Sequence, residues 1–230
     1  VLPAFPLILG AEKKKTYLVL FQNNAELRPT GGFIGAFGLI SFEKARVVNF
    51  DVFDVYTADG QLKGHVDPPQ PIKDYLREGG WYLRDSNWSP DFPTSAARAS
   101  WFLDKEMGYK VDGVFAVDLE FLRILLKETG PVSLSDYNET LDYRNFYEKI
   151  QSQAEKNFFP GSTNKKDYLT ALSKTLFRNI LDLPEKYLTA LVQAISLSLD
   201  GRHLSLWFED PKIAQVFTKY GWDGSIATIP

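Results

Sequence analysis

Two polar stretches of this chain carry the residue types that hold an anion. The first is residues 22–32, QNNAELRPTGG, directly behind an apolar run. Arg28 offers a planar, permanently charged fork that fits a phosphate or a carboxylate. Gly31 and Gly32 let backbone N–H groups approach such a ligand, and Asn23, Asn24 and Thr30 add polar contacts. The stretch lacks the Gly-Lys-Ser/Thr ending of a P-loop. Its plainer reading is a turn in which Asn and Gly supply unusual dihedrals and Arg28 pairs with Glu26. The second stretch, 81–96, sets Arg84, Asp85, Asn87 and Asp91 among two tryptophans and two prolines. Asp85 and Asp91 are oxygen ligands suited to a hard cation such as Mg2+, and Arg84 is able to share an anion with Arg28. Stiff Pro–aromatic surroundings would hold these groups still. The plainer reading has Arg84 and Asp85 satisfying backbone groups while the tryptophans cover the core. Asp54, near a strand end, joins the same site or is merely solvated. Lys165 and Lys166 open a late helix, where free N–H groups attract anions, although a charged first turn is usually just solvated.

These groups need elements to position them. Residues 15–21 read as a buried strand, and 33–42 and 45–56 as a hairpin turning at Glu43 and Lys44. Residues 57–95 are rich in Gly and Pro and read as irregular, with one short helix near 71–77. Thr94 or Ser95 caps a helix running to Met107, ended by Gly108. Residues 111–118, 119–130 and 131–134 read as strand, helix and strand, a crossover unit on a shared sheet. Helices follow at 143–156, 164–181 and 184–198, then a strand at 203–208 and a helix at 210–221 capped by Asp210. The expected architecture is α/β: one three-layer α-β-α domain over residues 1–230, a central mixed sheet with helices on both faces. The apolar positions of 168–199 at helical spacing are most simply core; they could also wall a groove for a lipid chain, and periodicity does not separate the two readings.

Composition narrows the function. The chain has 230 residues, 44% of them apolar and 14% aromatic, enough for a sizeable core and an aromatic-walled cleft. A net charge of −3 argues against a general nucleic-acid binder. Without cysteine there are no disulfides or thiolate sites, and His65 and His203 are too few for a histidine-rich metal site. The chain begins at Val1 and its one methionine is Met107, which suggests a processed or excised fragment. Residues 1–14, apolar at first but short, either follow a removed membrane anchor or pack on the domain.

Four motifs in order, FQNNAELRPTGGFIGAFG, LRDSNWSPDFPTSA, VDGVFAVD and LLKETGPV, resemble the bacterial domain-of-unknown-function family number four thousand and twelve, from about Thr16 to at least Val132. Members of that family are usually the outer domains of membrane-anchored proteins. The family is in turn distantly similar to the LytR–CpsA–Psr phosphotransferases, which move glycopolymers from a polyprenyl pyrophosphate carrier onto peptidoglycan with magnesium and arginines. On that resemblance Arg28 takes the place of an arginine that contacts the pyrophosphate, and Asn23 or Asn24 falls where the enzymes have an aspartate. Two departures stand out. Pro29, Thr30 and Gly31 replace a Thr-Asp-Thr run and lose a metal-binding carboxylate, and Asn164, Lys165 and Lys166 replace an arginine-rich stretch.

The resemblance implies an extracytoplasmic, membrane-anchored envelope protein that binds a polyprenyl-pyrophosphate-linked glycan. As an enzyme it would hold pyrophosphate with Arg28 and Arg84, and magnesium with Asp85 plus Asp54 or Asp91. The rivals are a binding module without catalysis, for glycan, lipid or anion, and a structural module. Convergent carboxylates would favour the enzyme, and a groove without them the binding module. Tight Arg28–Glu26 and Arg84–Asp85 pairs with no cavity would favour the third.

Overall fold

The computed structural model describes the backbone of residues 4–156 and 164–226 and, within these, the side chains of all but 153–156, 164–167 and 169. After a short helix α1 (Phe5–Ile8), strand β1 (Lys15–Asn23) enters the middle of the molecule. Its run of β-branched, aromatic and leucine side chains is buried on both faces. Strands β2 (Phe33–Glu43) and β3 (Arg46–Asp54) form an antiparallel hairpin beside it. The turn is Lys44 and Ala45, not Glu43 and Lys44, because Glu43 still pairs with Arg46. Both turn residues take positive φ, 50° and 59°, which matches a two-residue loop to the twist of its strands.

The connection to the next strand holds helix α2 (Val55–Asp59), a π-helical turn at Ile72–Leu76, a 3-10 turn at Leu83–Asp85 and helix α3 (Phe92–Met107). The expectation of irregular chain over 57–95 is therefore corrected: short elements hide among its prolines and glycines. The cap of α3 is Asp91, whose carboxylate accepts from Thr94 N, so the helix starts at Phe92 ahead of Thr94 and Ser95. Strand β4 (Gly113–Asp118) then lies parallel to β1, and helix α4 (Leu119–Thr129) follows, capped by Asp118.

Strand β5 (Val132–Leu134) does not join this sheet. It pairs with β6 (Glu139–Leu141) in a separate two-stranded ribbon turned at Asn138, which takes a positive φ of 49°. The expected strand–helix–strand crossover on a shared sheet is thus overturned; the parallel pair is β1–β4. Helices α5 (Phe146–Lys156), α6 (Asn164–Leu181) and α7 (Leu188–Asp200), strand β7 (Leu204–Phe208) and helix α8 (Pro211–Thr218) complete the described chain.

The five-stranded sheet runs β3-β2-β1-β4-β7, mixed in direction. Side chains alternate between two cores. Leu18 and Leu20 meet α2 and α3 on one face, through Val55, Ala96 and Phe102. Tyr17, Val19 and Phe21 meet α4, α6, α7 and α8 on the other, through Leu122, Leu172, Ala194 and Phe217. The fold is a three-layer α-β-α sandwich around a central mixed sheet.

At Gly113 the backbone of β7 comes so close that a Cβ would sit 2.4 Å from Trp207 O. Gly113→Ala should therefore part β4 from β7 and lower the unfolding free energy by about 2 kcal/mol in chemical denaturation; an unchanged midpoint would show that the two strands tolerate the side chain.

Candidate functional site

The loop after β1 is built by its own side chains. Asn23 Oδ1 accepts from Ala25 N at 3.1 Å and its Nδ2 donates to Glu26 Oε1 at 3.0 Å, a local turn closed by Phe33 N donating to Glu26 O. Asn87 fastens the second loop to the first. Its Nδ2 donates to Thr30 O at 2.6 Å and Gly32 O at 2.7 Å, while the Thr30 hydroxyl donates to Ser89 O. Arg28, Thr30, Arg84, Asp85 and Asn87 thus come together as the sequence suggested.

Their charges are spent on one another. Arg28 pairs with Asp85, not with Glu26: its Nε donates to Asp85 Oδ1 at 2.9 Å. Arg84 donates from Nη1 to Asp59 at 2.8 Å and from Nη2 to Glu78 at 2.9 Å, with its Nε 3.4 Å from Asp85 Oδ2. Asp85, 2% exposed, is shared by two guanidinium groups. The Arg84 guanidinium also lies over Tyr82 and Tyr56, 4.5 and 5.5 Å from the ring centroids. An incoming anion would compete with three carboxylates already in place.

A further acid stands behind them. Glu106, buried on α3, accepts from Leu83 N at 3.1 Å. Burial, reinforced by the charge of Asp59, pushes Glu106 up to about 8; burial pushes Asp59 up to about 6 against the pull of Arg84. Asp59 Oδ1 and Glu106 Oε2 are both buried without a hydrogen-bond partner, as expected where one of two neighbouring carboxyls keeps its proton. In front of this network lies a wide, shallow cleft of about 540 Å³, lined by Tyr56, Asp59, His65, Glu78, Tyr82 and Arg84.

The remaining candidates lie elsewhere. Asn24 reaches toward Asp118, 3.4 Å away, in a cluster where His203 Nδ1 lies 2.9 Å from Asp118 Oδ2. Asp54 caps α2 by accepting from Tyr56 N, and Asp91 caps α3 while also accepting from Ile226 N at 3.1 Å. The side chains of Lys165 and Lys166 lie outside the described residues. As a magnesium site the set Asp54, Asp85 and Asp91 does not fit: two are helix caps, and both oxygens of the third face guanidinium groups. Among the described residues no group of three or more His, Asp or Glu side chains is placed to hold a metal ion.

A second site sits on the opposite face of the sheet. Between β1, β4 and β7 on one side and α1, α6 and α7 on the other is a cavity of about 510 Å³. Val19, Phe115, Val117 and Leu206 form its floor, and Phe177, Ile195 and Leu199 its roof. Ser196 is the one residue with a polar side chain, apart from the Trp222 indole, among those lining it. Sequence reasoning noted the apolar excess of 168–199 without deciding between core and groove. It missed Asp59, Glu78 and Glu106, and the Asp118–His203 contact, whose partners are 85 positions apart.

What this architecture defines is an α-β-α domain with a self-neutralised ionic network on one face and an apolar cavity on the other. The chain belongs to the family described as Protein of unknown function (DUF4012), whose profile matches residues 12–154. Among solved structures it is similar to the gbs0355 protein of Streptococcus agalactiae, at 12% identity over 96% of this chain and 75% of that one, with a TM-score of 0.52. It is also similar to the Lin1025 protein of Listeria innocua, at 14% identity over 93% of this chain and 79% of that one, with a TM-score of 0.43. At such identity the streptococcal likeness shows the fold alone. A search of curated proteins finds no match.

Two outcomes follow from the ionic network. Asp85→Ala strands the largely buried Arg28 guanidinium and takes one of three carboxylates from Arg84, and should cost about 3–5 kcal/mol of stability, read by chemical denaturation. Because the Glu106 and Asp59 carboxyls are raised, the folded state binds protons that the unfolded chain has released. That stability is complete below the ordinary carboxyl range and is lost as pH rises toward about 8. Unfolding free energy should fall by roughly 4 kcal/mol between about pH 5 and about pH 9, with most of the drop absent in Glu106→Gln and a smaller part, from Asp59, remaining; an equal drop in that variant would place the proton elsewhere.

Proposed function

We propose that the protein binds the hydrocarbon chain of a membrane lipid, and that its natural ligand is a polyprenyl-pyrophosphate-linked glycan of the cell envelope, met outside the cytoplasmic membrane. The observation that carries this reading is the apolar cavity between the sheet and α7. Its volume falls in the range of small-ligand sites, ~300–1,000 Å³. Its walls offer a chain many apolar contacts and a polar ligand almost none. Each methylene moved from water into such a space contributes about 0.8 kcal/mol.

The proposal stops at binding. Arg28 and Arg84 already hold carboxylates, and a phosphoryl group gains little from cations whose charge is already paired. The binding module is therefore the reading the geometry favours over the phosphotransferase.

The test is binding of a polyprenyl pyrophosphate, with and without magnesium, to the wild type and to Ile195→Trp, Arg28→Ala and Arg84→Ala. Ile195→Trp fills the cavity and should weaken binding about tenfold or more. Binding should not need magnesium and should change little in the arginine variants once their folding has been checked. A wild type that does not bind, or an Ile195→Trp variant that binds equally well, overturns the proposal. Magnesium-dependent binding lost in both arginine variants would instead return the phosphotransferase reading.

A further inference from the structure

The cavity is not sealed. Two of the residues that line it, Phe5 on α1 and Val192 on α7, are 44% and 65% exposed, so its mouth lies between those helices. The rim continues outward in apolar side chains. On α1, Phe5, Pro6 and Leu7 are all exposed, Leu7 by 38%. On α7, Leu188, Val192, Ile195 and Leu199 follow at the spacing of one helix face; the last three line the cavity, and Leu188 extends the stripe into solvent at 50% exposure. From Leu188 to Leu199 this helix carries no charged residue. A helix apolar on its open side, beside a wedge of Phe, Pro and Leu, is more than scattered surface hydrophobicity.

Cations surround the α1 side of the rim. Lys13 and Lys14 follow α1 and are exposed. The β2–β3 turn is bonded directly to the end of α1, Lys44 N donating to Gly10 O and Ala45 N to Leu9 O, and it brings exposed Lys44 and Arg46 alongside. Glu12 and Glu43 offset only part of this charge. Apolar side chains that insert, flanked on the α1 side by basic ones, are the two components of binding to an anionic lipid surface; at the Leu188 end exposed Asp182 and Glu185 offset Lys186.

We propose that α1, the Leu188 end of α7 and the basic turn around Lys44 form a surface that docks on an anionic membrane leaflet and presents the cavity mouth to the lipid. This rests on the lipid-binding reading for its purpose but not for its test. A chain leaving the bilayer would then enter the cavity without crossing water, whose exclusion is the main barrier to moving such a ligand.

The experiment is flotation of the protein with vesicles of phosphatidylcholine and of phosphatidylcholine with phosphatidylglycerol, for the wild type, Leu7→Glu/Leu188→Glu, Lys13→Glu/Lys14→Glu and Ile195→Trp. Leu7 and Leu188 are exposed and do not line the cavity, so the first double variant should fold normally and still take up a detergent-dispersed polyprenyl phosphate. The wild type should float with the anionic vesicles, less so as salt is raised. Leu7→Glu/Leu188→Glu should lose about tenfold or more in partitioning, Lys13→Glu/Lys14→Glu should lose the preference for anionic vesicles, and Ile195→Trp should float like the wild type. No flotation of the wild type, or flotation unchanged by Leu7→Glu/Leu188→Glu, overturns the docking surface. Self-association abolished by the same variant in the absence of flotation would assign the face to a second copy of the chain and also overturn it. Flotation that persists while no variant or wild type takes up the dispersed lipid would leave the docking surface standing and remove the cavity reading.

Discussion

Strand β1 is buried on both faces, and the rest of the molecule answers to that constraint. A strand in this position needs a hydrogen-bonded neighbour along each edge and an apolar layer above and below. Antiparallel β2 and parallel β4 supply the edges. The layers are supplied unequally. On the Leu18 and Leu20 face, α3 brings small residues, Ala96 and Ala99, and packs close enough to leave Phe102 fully buried. On the Tyr17, Val19 and Phe21 face the cover is made by α4, α6 and α7, and α7 packs against α4, with Ala194 and Ser198 buried, while Val192, Ile195 and Leu199 line the cavity. Phe115 and Phe208, which pack on each other and on Tyr17 behind them, form part of its wall.

The ionic network belongs to the tight face. Leu83, which opens the turn that carries Arg84 and Asp85, packs into the α2–α3 core, so the turn is anchored before its charged side chains are placed. Burying Asp85 is tolerable because two guanidinium groups face it, and burying Arg84 because three carboxylates do. Among the described residues no cation is bonded to Glu106, which accepts a backbone N–H instead, so burial raises its proton affinity. The network secures the geometry of two long loops, and Asn87 does the same with neutral bonds.

Much of this was legible in the residues. The burial of β1, the hairpin, the caps Asp210 and Gly108 and the helices at 119–130 and 164–181 follow from pattern, because each is decided by neighbours within a few positions. The β5 strand was assigned to the wrong sheet because a three-residue run carries no information about its partner. Within 57–95 the short helix expected near 71–77 falls on the helical turn Ile72–Leu76, whereas prolines and glycines mask the 3-10 turn at Leu83–Asp85, which tertiary contacts complete. At the site, the sequence marked Arg28, Arg84, Asp85 and Asn87 as belonging together. Their pairing was another matter: Arg28 meets Asp85 across 57 positions, and Glu26, three residues away from Asn23, takes that nearer donor instead. The aspartates read as metal ligands, Asp54 and Asp91, stand immediately before helices, where capping was the stronger local signal.

The two sites make different demands, and the sheet separates them. A hydrocarbon chain requires only that water be excluded, so walls drawn from sequence-distant elements serve as well as a motif would. Phosphoryl transfer requires cations whose charge is still available at one point in space. Here Arg84 would have to leave Asp59 and Glu78 to act, and stripping a buried pair of one partner costs about 3–5 kcal/mol. A ligand would have to return that energy in new bonds before any of its binding could lower a barrier. The cavity floor, Val19, Phe115 and Val117, faces away from the core that holds Leu83, so a lipid bound there neither adds to nor relieves the ionic network. Binding of an apolar chain can therefore persist in this fold whatever becomes of the arginines, and that independence makes a lipid-binding role compatible with loops whose charges are paired with one another.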